Sequence, residues 1–274
     1  MQKKLSISFI GGGNMAAALI TGLAVKVTAG SNIHVVDVNT DALKKLALEF
    51  DVSTATGIDA AVGRTDVIVL ALKPQLMESV MADLQPHLSG QIVISIAAGI
   101  SAATLSRWLG GYEAVVRCMP NTPALIARGI TGMFASSGVS AQQRETADQI
   151  MRAVGSTMWV EDEALIDAVT AISGSGPAYV FFFIEAMQQA EQDLGWTAQQ
   201  GIELATATFV GASHLAAQSS DPVSVLRERV TSKGGTTYAA LSSLESSGVK
   251  QSIINAAKAA AARSKELGEE LGQK

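Results

Sequence analysis

The sequence predicts an α/β fold in which a mostly parallel, doubly wound sheet is followed by an all-helical part. Short apolar, β-branched runs alternate with helical periodicity through the first 160 residues. Those runs are apolar at nearly every position, as strands covered on both faces must be. After STMWVEDE (156–163) the strand signals stop, and alanine, leucine and glutamate at helical spacing take over. That shift divides the chain into domains at 1–160 and 161–274.

The elements follow in order. LSISFI (5–10) is a strand, a helix starts near Met15, and IHVVDV (33–38) is the second strand, a βαβ opening. Helical stretches at 40–50, 75–85, 102–108 and 141–154 separate the strands DVIVLAL (66–72), QIVISIA (91–97), EAVVRCM (113–119) and GITGMFA (129–135). SGSGP (173–177) supplies serine caps and a proline at a first helical position, and so launches PAYVFFFIEAMQQAEQDLG. That helix is apolar nearly all round, so other helices or a partner subunit must cover it. Helices at 197–218, 236–246 and 249–270 follow, and EELGQK reads as a solvated end.

Composition removes whole classes of function. At 274 residues, 48% apolar and 16% charged, the chain can bury a substantial core. The net charge of −5, with basic residues scattered among acids, argues against a nucleic-acid partner. A single cysteine, Cys118, excludes an internal disulfide and a multi-cysteine metal site, and no metal is expected. No run of eighteen apolar residues occurs, and MQKKLSISFIGGG lacks a signal peptide's apolar region, which predicts a cytoplasmic protein without membrane association.

In FIGGGNMAAAL, residues Gly11, Gly13 and Ala16 fit G-x-G-x-x-A between a strand and a helix, the context of a Rossmann-type dinucleotide cradle. The first glycine permits the turn, the second lets a pyrophosphate approach the backbone, and Ala16 lets helix and strand pack closely. Gly12, Asn14 and Met15 complete the loop whose amides and helix dipole face the phosphates. A strand-to-helix turn that binds nothing is the alternative. Asp37, ending the second strand, is placed to accept hydrogen bonds from the adenosine ribose and would repel a 2′-phosphate. This leans toward NADH, although Asn39 and Thr40 are able to hydrogen-bond a phosphate, so NADPH and NADH both stay open.

Hydride transfer to a carbonyl needs a proton donor, and this chain is poor in them. His34 lies in a strand, His87 in a loop and His214 within a helix, where structural or exposed roles suffice. An imine nitrogen can arrive already protonated, so low acid–base content favours a C=N acceptor.

MPNTP (119–123), SGSGPAY (173–179) and TSKGGTT (231–237), with IGGGNMA, ALKP (71–74) and IAAG (96–99), closely resemble the motifs of pyrroline-5-carboxylate reductases, in the same order along nearly the whole chain. The resemblance implies a Rossmann domain followed by a helical dimerisation domain. It implies reduction of 1-pyrroline-5-carboxylate to L-proline with NADPH or NADH, and a homodimer assembled into a decamer whose active site draws on the cofactor domain and the helical domain of the dimer. It places Ala71, Leu72, Lys73 and Pro74 beside the cofactor, and Ala97, Ala98, Asn121 and Thr122 near the nicotinamide. Thr237 matches the family's threonine that meets the substrate's ring nitrogen, and Ser232, Gly234, Gly235 and Thr236 match the turn that receives its carboxylate. The local chemistry agrees: glycines preceding a helix near Thr236 offer amides and a dipole to a carboxylate. An ordinary glycine-containing connection is the alternative there. Ser175 is a weaker substrate candidate, because a capped helix start explains most of SGSGP.

Two positions depart from the family pattern. Arg229 stands where some relatives carry asparagine, and reads most simply as part of a surface cluster with Arg227 and Glu228. Val38 replaces an arginine of some NADPH-preferring relatives. Cys118 reads as a buried strand-end residue. Two rival readings remain. A β-hydroxyacid dehydrogenase would need a lysine and an asparagine where alignment on Gly174 and Gly176 puts Val180 and Ile184. A catalytically silent nicotinamide-binding protein would have no use for TSKGGTT.

Overall fold

The computed structural model describes residues 5–272. Among these, the strands β1 (Ile7–Ile10), β2 (Ile33–Val36), β3 (Ser53–Ala55), β4 (Val67–Leu70), β5 (Ile92–Ser95), β6 (Val115–Met119), β7 (Gly129–Ala135) and β8 (Gly155–Trp159) form one sheet, ordered β3-β2-β1-β4-β5-β6-β7-β8. The helices are α1 (Asn14–Lys26), α2 (Thr40–Phe50), α3 (Pro74–Leu84), α4 (Ala102–Trp108), α5 (Ala141–Arg152), α6 (Leu165–Val169), α7 (Gly176–Asp193), α8 (Ala198–Gln218), α9 (Val223–Arg229), α10 (Thr236–Ser246) and α11 (Val249–Gly272).

Side chains alternate between the sheet faces, which separates the core into two layers. Ile7, Phe9, Val67, Val69 and Ile94 pack with Leu19, Leu23, Leu43 and Ile150 from α1, α2 and α5. Ile10, Ile68, Leu70 and Val93 pack with Met77, Met81, Leu84 and Leu105 from α3 and α4. Each fully buried side chain of this size contributes about 1.5–3 kcal/mol. The β6–β7 pair is antiparallel. Its connection holds only the short 3-10 turn Thr122–Ile126, too little chain for the crossover that a parallel pair requires. By contrast, α5 supplies that crossover for the parallel pair β7–β8.

Two elements carry little sequence signal. The edge strand β3 is three residues long, with exposed Ser53 and Thr54 and no apolar alternation. Helix α9 is a two-turn element between Pro222 and the glycine turn.

α7 begins within SGSGP, at Gly176, but not as a free, capped helix start. Helical structure runs from Leu165 to Asp193, and the segment Thr170–Gly174 forms a π turn in which the Ser175 N–H reaches back to the Thr170 carbonyl at 2.8 Å. The glycines serve close packing there: a Cβ on Gly174 would lie 2.6 Å from Met119 Cε. By length and composition alone Leu165–Asp193 is long and apolar enough to cross a membrane.

The strands end at Trp159, and the chain forms two compact units. The first unit runs to Ser175 and takes back the chain from Ala260; the second is Gly176–Ala259. Ile166 and Ala171 are buried within the first unit. The last turns of α11 also belong to it, with Gly268 close to the Gly99 carbonyl and Ser264 Oγ donating to Asp167 Oδ1 at 2.8 Å. The chain end described here is therefore only partly solvated: Glu269 and Glu270 are exposed, but Leu271 packs against the α3–α4 layer, and Arg107 Nη2 donates to the Gly272 carbonyl at 2.6 Å. Gln273 and Lys274 lie outside the described residues.

In the second unit α7 and α8 pair across a turn at Gly195, and Thr197 and Gln200 form a capping box that starts α8. No residue of α7 is buried within the chain, and Phe181 and Phe182 are 60% and 68% exposed. Among the described residues of this unit, much of this apolar helical surface stays exposed.

Candidate functional site

Strands β1, β2, β4, β5 and β6 run parallel, so the loops after them leave one edge of the sheet. β1 pairs with β2 on one side and β4 on the other, which is the reversal point where such sheets bind ligands. The residues expected to hold a dinucleotide follow these five strands.

Gly11 sits at φ +105°, and a Cβ there would lie 2.5 Å from the Ala71 carbonyl oxygen, so only glycine fits between the ends of β1 and β4. Its N–H donates to the Val36 carbonyl at 2.7 Å, and the Ala71 N–H donates to the Ile10 carbonyl at 2.8 Å. Gly12 N–H donates to Asp37 Oδ2 at 2.6 Å. Gly13 is different: a Cβ there would meet nothing within 4 Å. It precedes α1 without any side-chain cap. The first-turn amides therefore face open space at the positive end of the helix, and these residues fit a pyrophosphate. Asn14 is exposed at the first helical position, Ala16 is buried, and the Met15 side chain packs against the core.

The other expected residues lie in the loops after β4, β5 and β6. Lys73 is exposed and precedes α3, whose first residue is Pro74, beside half-buried Ala71 and Leu72. Ala97 is buried and Ala98 half-buried after β5. Two expected side chains are engaged internally. Asn39 Oδ1 caps α2, accepting from the amides of Asp41 and Ala42, each at 3.1 Å. Asn121 Oδ1 accepts from Ile130 N–H at 3.0 Å, and its Nδ2 donates to the Ser173 carbonyl at 3.1 Å, leaving exposed Thr122 to face outward.

A buried ionic cluster supports this edge. Arg117, 5% exposed on β6, reaches Glu163 at 3.1 Å and Asp167 at 3.5 Å. Glu163 Oε1 also accepts from the Ala102 N–H at 2.7 Å, capping α4. The cluster thus links β6, α4, α6 and, through Ser264, α11. The signal that could have found it is a lone arginine in the otherwise apolar run VVRCM, since a buried charge must be paired.

In the second unit the TSKGGTT turn has Gly234 at φ +74° and a bond from Gly235 N–H to the Ser232 carbonyl at 3.0 Å. A Cβ on Gly235 would lie 2.5 Å from Ser232 Oγ. α10 begins at Thr236 with no side-chain cap, and Thr237 is half-buried. The amides of Thr236, Thr237 and Tyr238 have no acceptor within the helix, which suits a carboxylate. Ser175 belongs to the first unit, next to the π turn.

His34 is buried, with Nδ1 2.9 Å from Ser53 Oγ and Nε2 3.3 Å from Asp59. His87 is half-buried in a 3-10 turn and His214 exposed on α8. Burial pushes the Cys118 thiol far above its ordinary value, so it is no nucleophile. Arg229 pairs with Asp221 at 2.6 Å rather than clustering with Arg227 and Glu228. A cleft of about 900 Å³ lined by Lys26, Glu145, Asp148 and Arg152 lies at the far end of α1 from the glycine turn. It contains none of the expected site residues, and its size alone is no sign of chemistry.

Comparison with known proteins gives concordant matches. The family model described as "Pyrroline-5-carboxylate reductase dimerisation" matches residues 163–267, and that described as "NADP oxidoreductase coenzyme F420-dependent" matches residues 6–99. The pyrroline-5-carboxylate reductase of Pseudomonas aeruginosa is 46% identical, covering 97% of this chain and 98% of its own. A solved pyrroline-5-carboxylate reductase from Coxiella burnetii is 39% identical with a TM-score of 0.90, covering 97% of this chain and 99% of its own. The Plasmodium falciparum pyrroline carboxylate reductase, solved with NADP bound, is 29% identical with a TM-score of 0.88, covering 98% of this chain and 100% of its own.

Proposed function

We propose a division of labour among these residues from one premise: the chain belongs to the pyrroline-5-carboxylate reductase family. It is an NAD(P)H-dependent oxidoreductase of proline biosynthesis that reduces 1-pyrroline-5-carboxylate to L-proline. When bound, the nicotinamide cofactor supplies a hydride to the ring carbon of the C=N bond.

Gly11, Gly12, Gly13, Asn14 and Met15 present backbone to the pyrophosphate, with Ala16 holding α1 close to β1. Asp37 accepts from the adenosine ribose. Ala71, Leu72, Lys73 and Pro74, with Ala97, Ala98, Asn121 and Thr122, border the cofactor's nicotinamide half. Asn39 acts there by fixing the start of α2, and Asn121 by bracing the loop, since their side-chain oxygens bond neighbouring amides. Ser232, Gly234, Gly235 and Thr236 hold the substrate carboxylate, with Ser175 at the margin. The Thr237 hydroxyl hydrogen-bonds the ring nitrogen and orients the imine. No side chain acts as a nucleophile; positioning supplies most of the acceleration.

The observation that carries this reading is the uncapped start of α10 after Gly235, with Thr237 in its first turn. A chain that carries this dimerisation domain is an oligomer with a small-molecule substrate. The finer proposal is a homodimer, further assembled into a decamer, in the cytoplasm and away from membranes. The apolar surface of α7 supports it, being the kind of surface that a second copy covers.

The test is Thr237→Ala. Turnover with pyrroline carboxylate falls at least about tenfold, the loss of one well-placed hydrogen bond, while NADH affinity is unchanged. Near-normal turnover would remove Thr237 from the mechanism.

A further inference from the structure

We infer that Asp37 makes this reductase select NADH over NADPH; the inference rests on the proposed reading of Gly11–Ala16 as the dinucleotide cradle. Both carboxylate oxygens are fixed by backbone amides, Oδ2 by Gly12 N–H at 2.6 Å and Oδ1 by Asn39 N–H at 2.8 Å. A carboxylate so held is unable to swing aside for a second anion. Each oxygen keeps a further lone pair to accept from the vicinal hydroxyls of an unmodified ribose. The hold begins at the cradle itself, because Gly12 belongs to the phosphate loop, so the ribose site and the pyrophosphate site are one rigid piece.

In exchange the surroundings offer a 2′-phosphate only neutral donors, the exposed Thr40 hydroxyl and the Asn39 side-chain amide. The start of α2 would be the natural anion site beside Asp37, but Asn39 Oδ1 already takes its amides at Asp41 and Ala42. Asp41 then adds a negative charge in that first turn. Val38 is 88% exposed and uncharged. No arginine occurs between Asp37 and Arg64; the lysines of α2 are Lys44 and Lys45, and Lys44 pairs with Asp41 at 3.4 Å. A 2′-phosphate would therefore meet a fixed carboxylate with no arginine in this loop or in α2 to answer it. This holds although the family model matching residues 6–99 is described as an NADP oxidoreductase and the Plasmodium relative was solved with NADP.

Equilibrium titration of the purified oligomer with NADH and with NADPH, read by nicotinamide fluorescence without substrate, tests this separately from activity. The wild type binds NADH at least tenfold more tightly. Asp37→Asn keeps an acceptor for Gly12 N–H but removes the charge, and Asp37→Ser makes room as well; each reduces the preference to below threefold. Equal affinities in the wild type, tighter NADPH binding, or a tenfold preference that survives in both variants would overturn the inference and leave the cradle reading standing. Binding of neither dinucleotide to the folded wild type would overturn the cradle reading and the inference with it.

Discussion

Replacing Gly11 and Gly13 separately by alanine divides what the glycine turn does for folding from what it does for the cofactor. At Gly11 the new methyl would sit at φ +105° and 2.5 Å from the Ala71 carbonyl oxygen, a backbone atom with no rotamer to change. The backbone conformation costs about 1–3 kcal/mol, and overpacking against a fixed carbonyl costs about 1–3 kcal/mol more. A loss of about 4 kcal/mol, at roughly 2–4 °C per kcal/mol for a domain of this size, lowers Tm by roughly 8–16 °C. At Gly13, by contrast, the methyl meets nothing within 4 Å and the residue has an ordinary φ of −71°. Stability there changes by no more than about 1 kcal/mol, the scale of an altered cap. The methyl instead enters the space assigned to the pyrophosphate, and dinucleotide affinity falls at least about tenfold. Thermal unfolding with and without NADH reads both effects. A Gly11→Ala protein melting within about 2 °C of the wild type, or a Gly13→Ala protein with unaltered affinity, would refute the reasoning.

Asp148 gives a pH-dependent effect on stability. Burial opposes its ionisation, but hydrogen bonds from Thr157, Arg152 and Trp159 together outweigh burial and hold the carboxyl below the usual range. Because the folded value is the lower one, the stabilisation is complete above the unfolded value of about 3.9 and fades as pH falls through the folded value. Urea midpoints for the wild type and Asp148→Asn should therefore differ at neutral pH and converge in acid. Asn121→Ala leaves Ile130 N–H and the Ser173 carbonyl unpaired and costs about 2 kcal/mol in thermal unfolding, whereas Thr122→Ala, at an exposed side chain, leaves Tm in place.

The sheet was legible because its strands are apolar on both faces, and the glycine turn because its spacing answers to backbone contacts such as Gly11 against Ala71. Other features were less visible for physical reasons. β3 is a short polar edge strand that borrows its structure from β2. SGSGP carries cap residues, yet Ser175 closes a π turn inside helical structure that continues to Asp193, a choice made by packing against Met119. The EELGQK end looks polar, but Leu271 supplies one apolar contact and the Gly272 carbonyl one acceptor, both used. Asn39 and Asn121 illustrate a limit of residue type. An amide suited to a ligand is equally suited to a helix start or a loop brace, and only coordinates show which partner takes it.

The most direct measurement follows the transferred hydrogen. With NADH carrying deuterium on the transferable face of nicotinamide C4 and unlabelled pyrroline carboxylate, mass spectrometry of the product should find one deuterium at the proline ring carbon next to nitrogen, opposite the carboxyl-bearing carbon. Proline without that label, or NADH consumption without proline, would contradict the account.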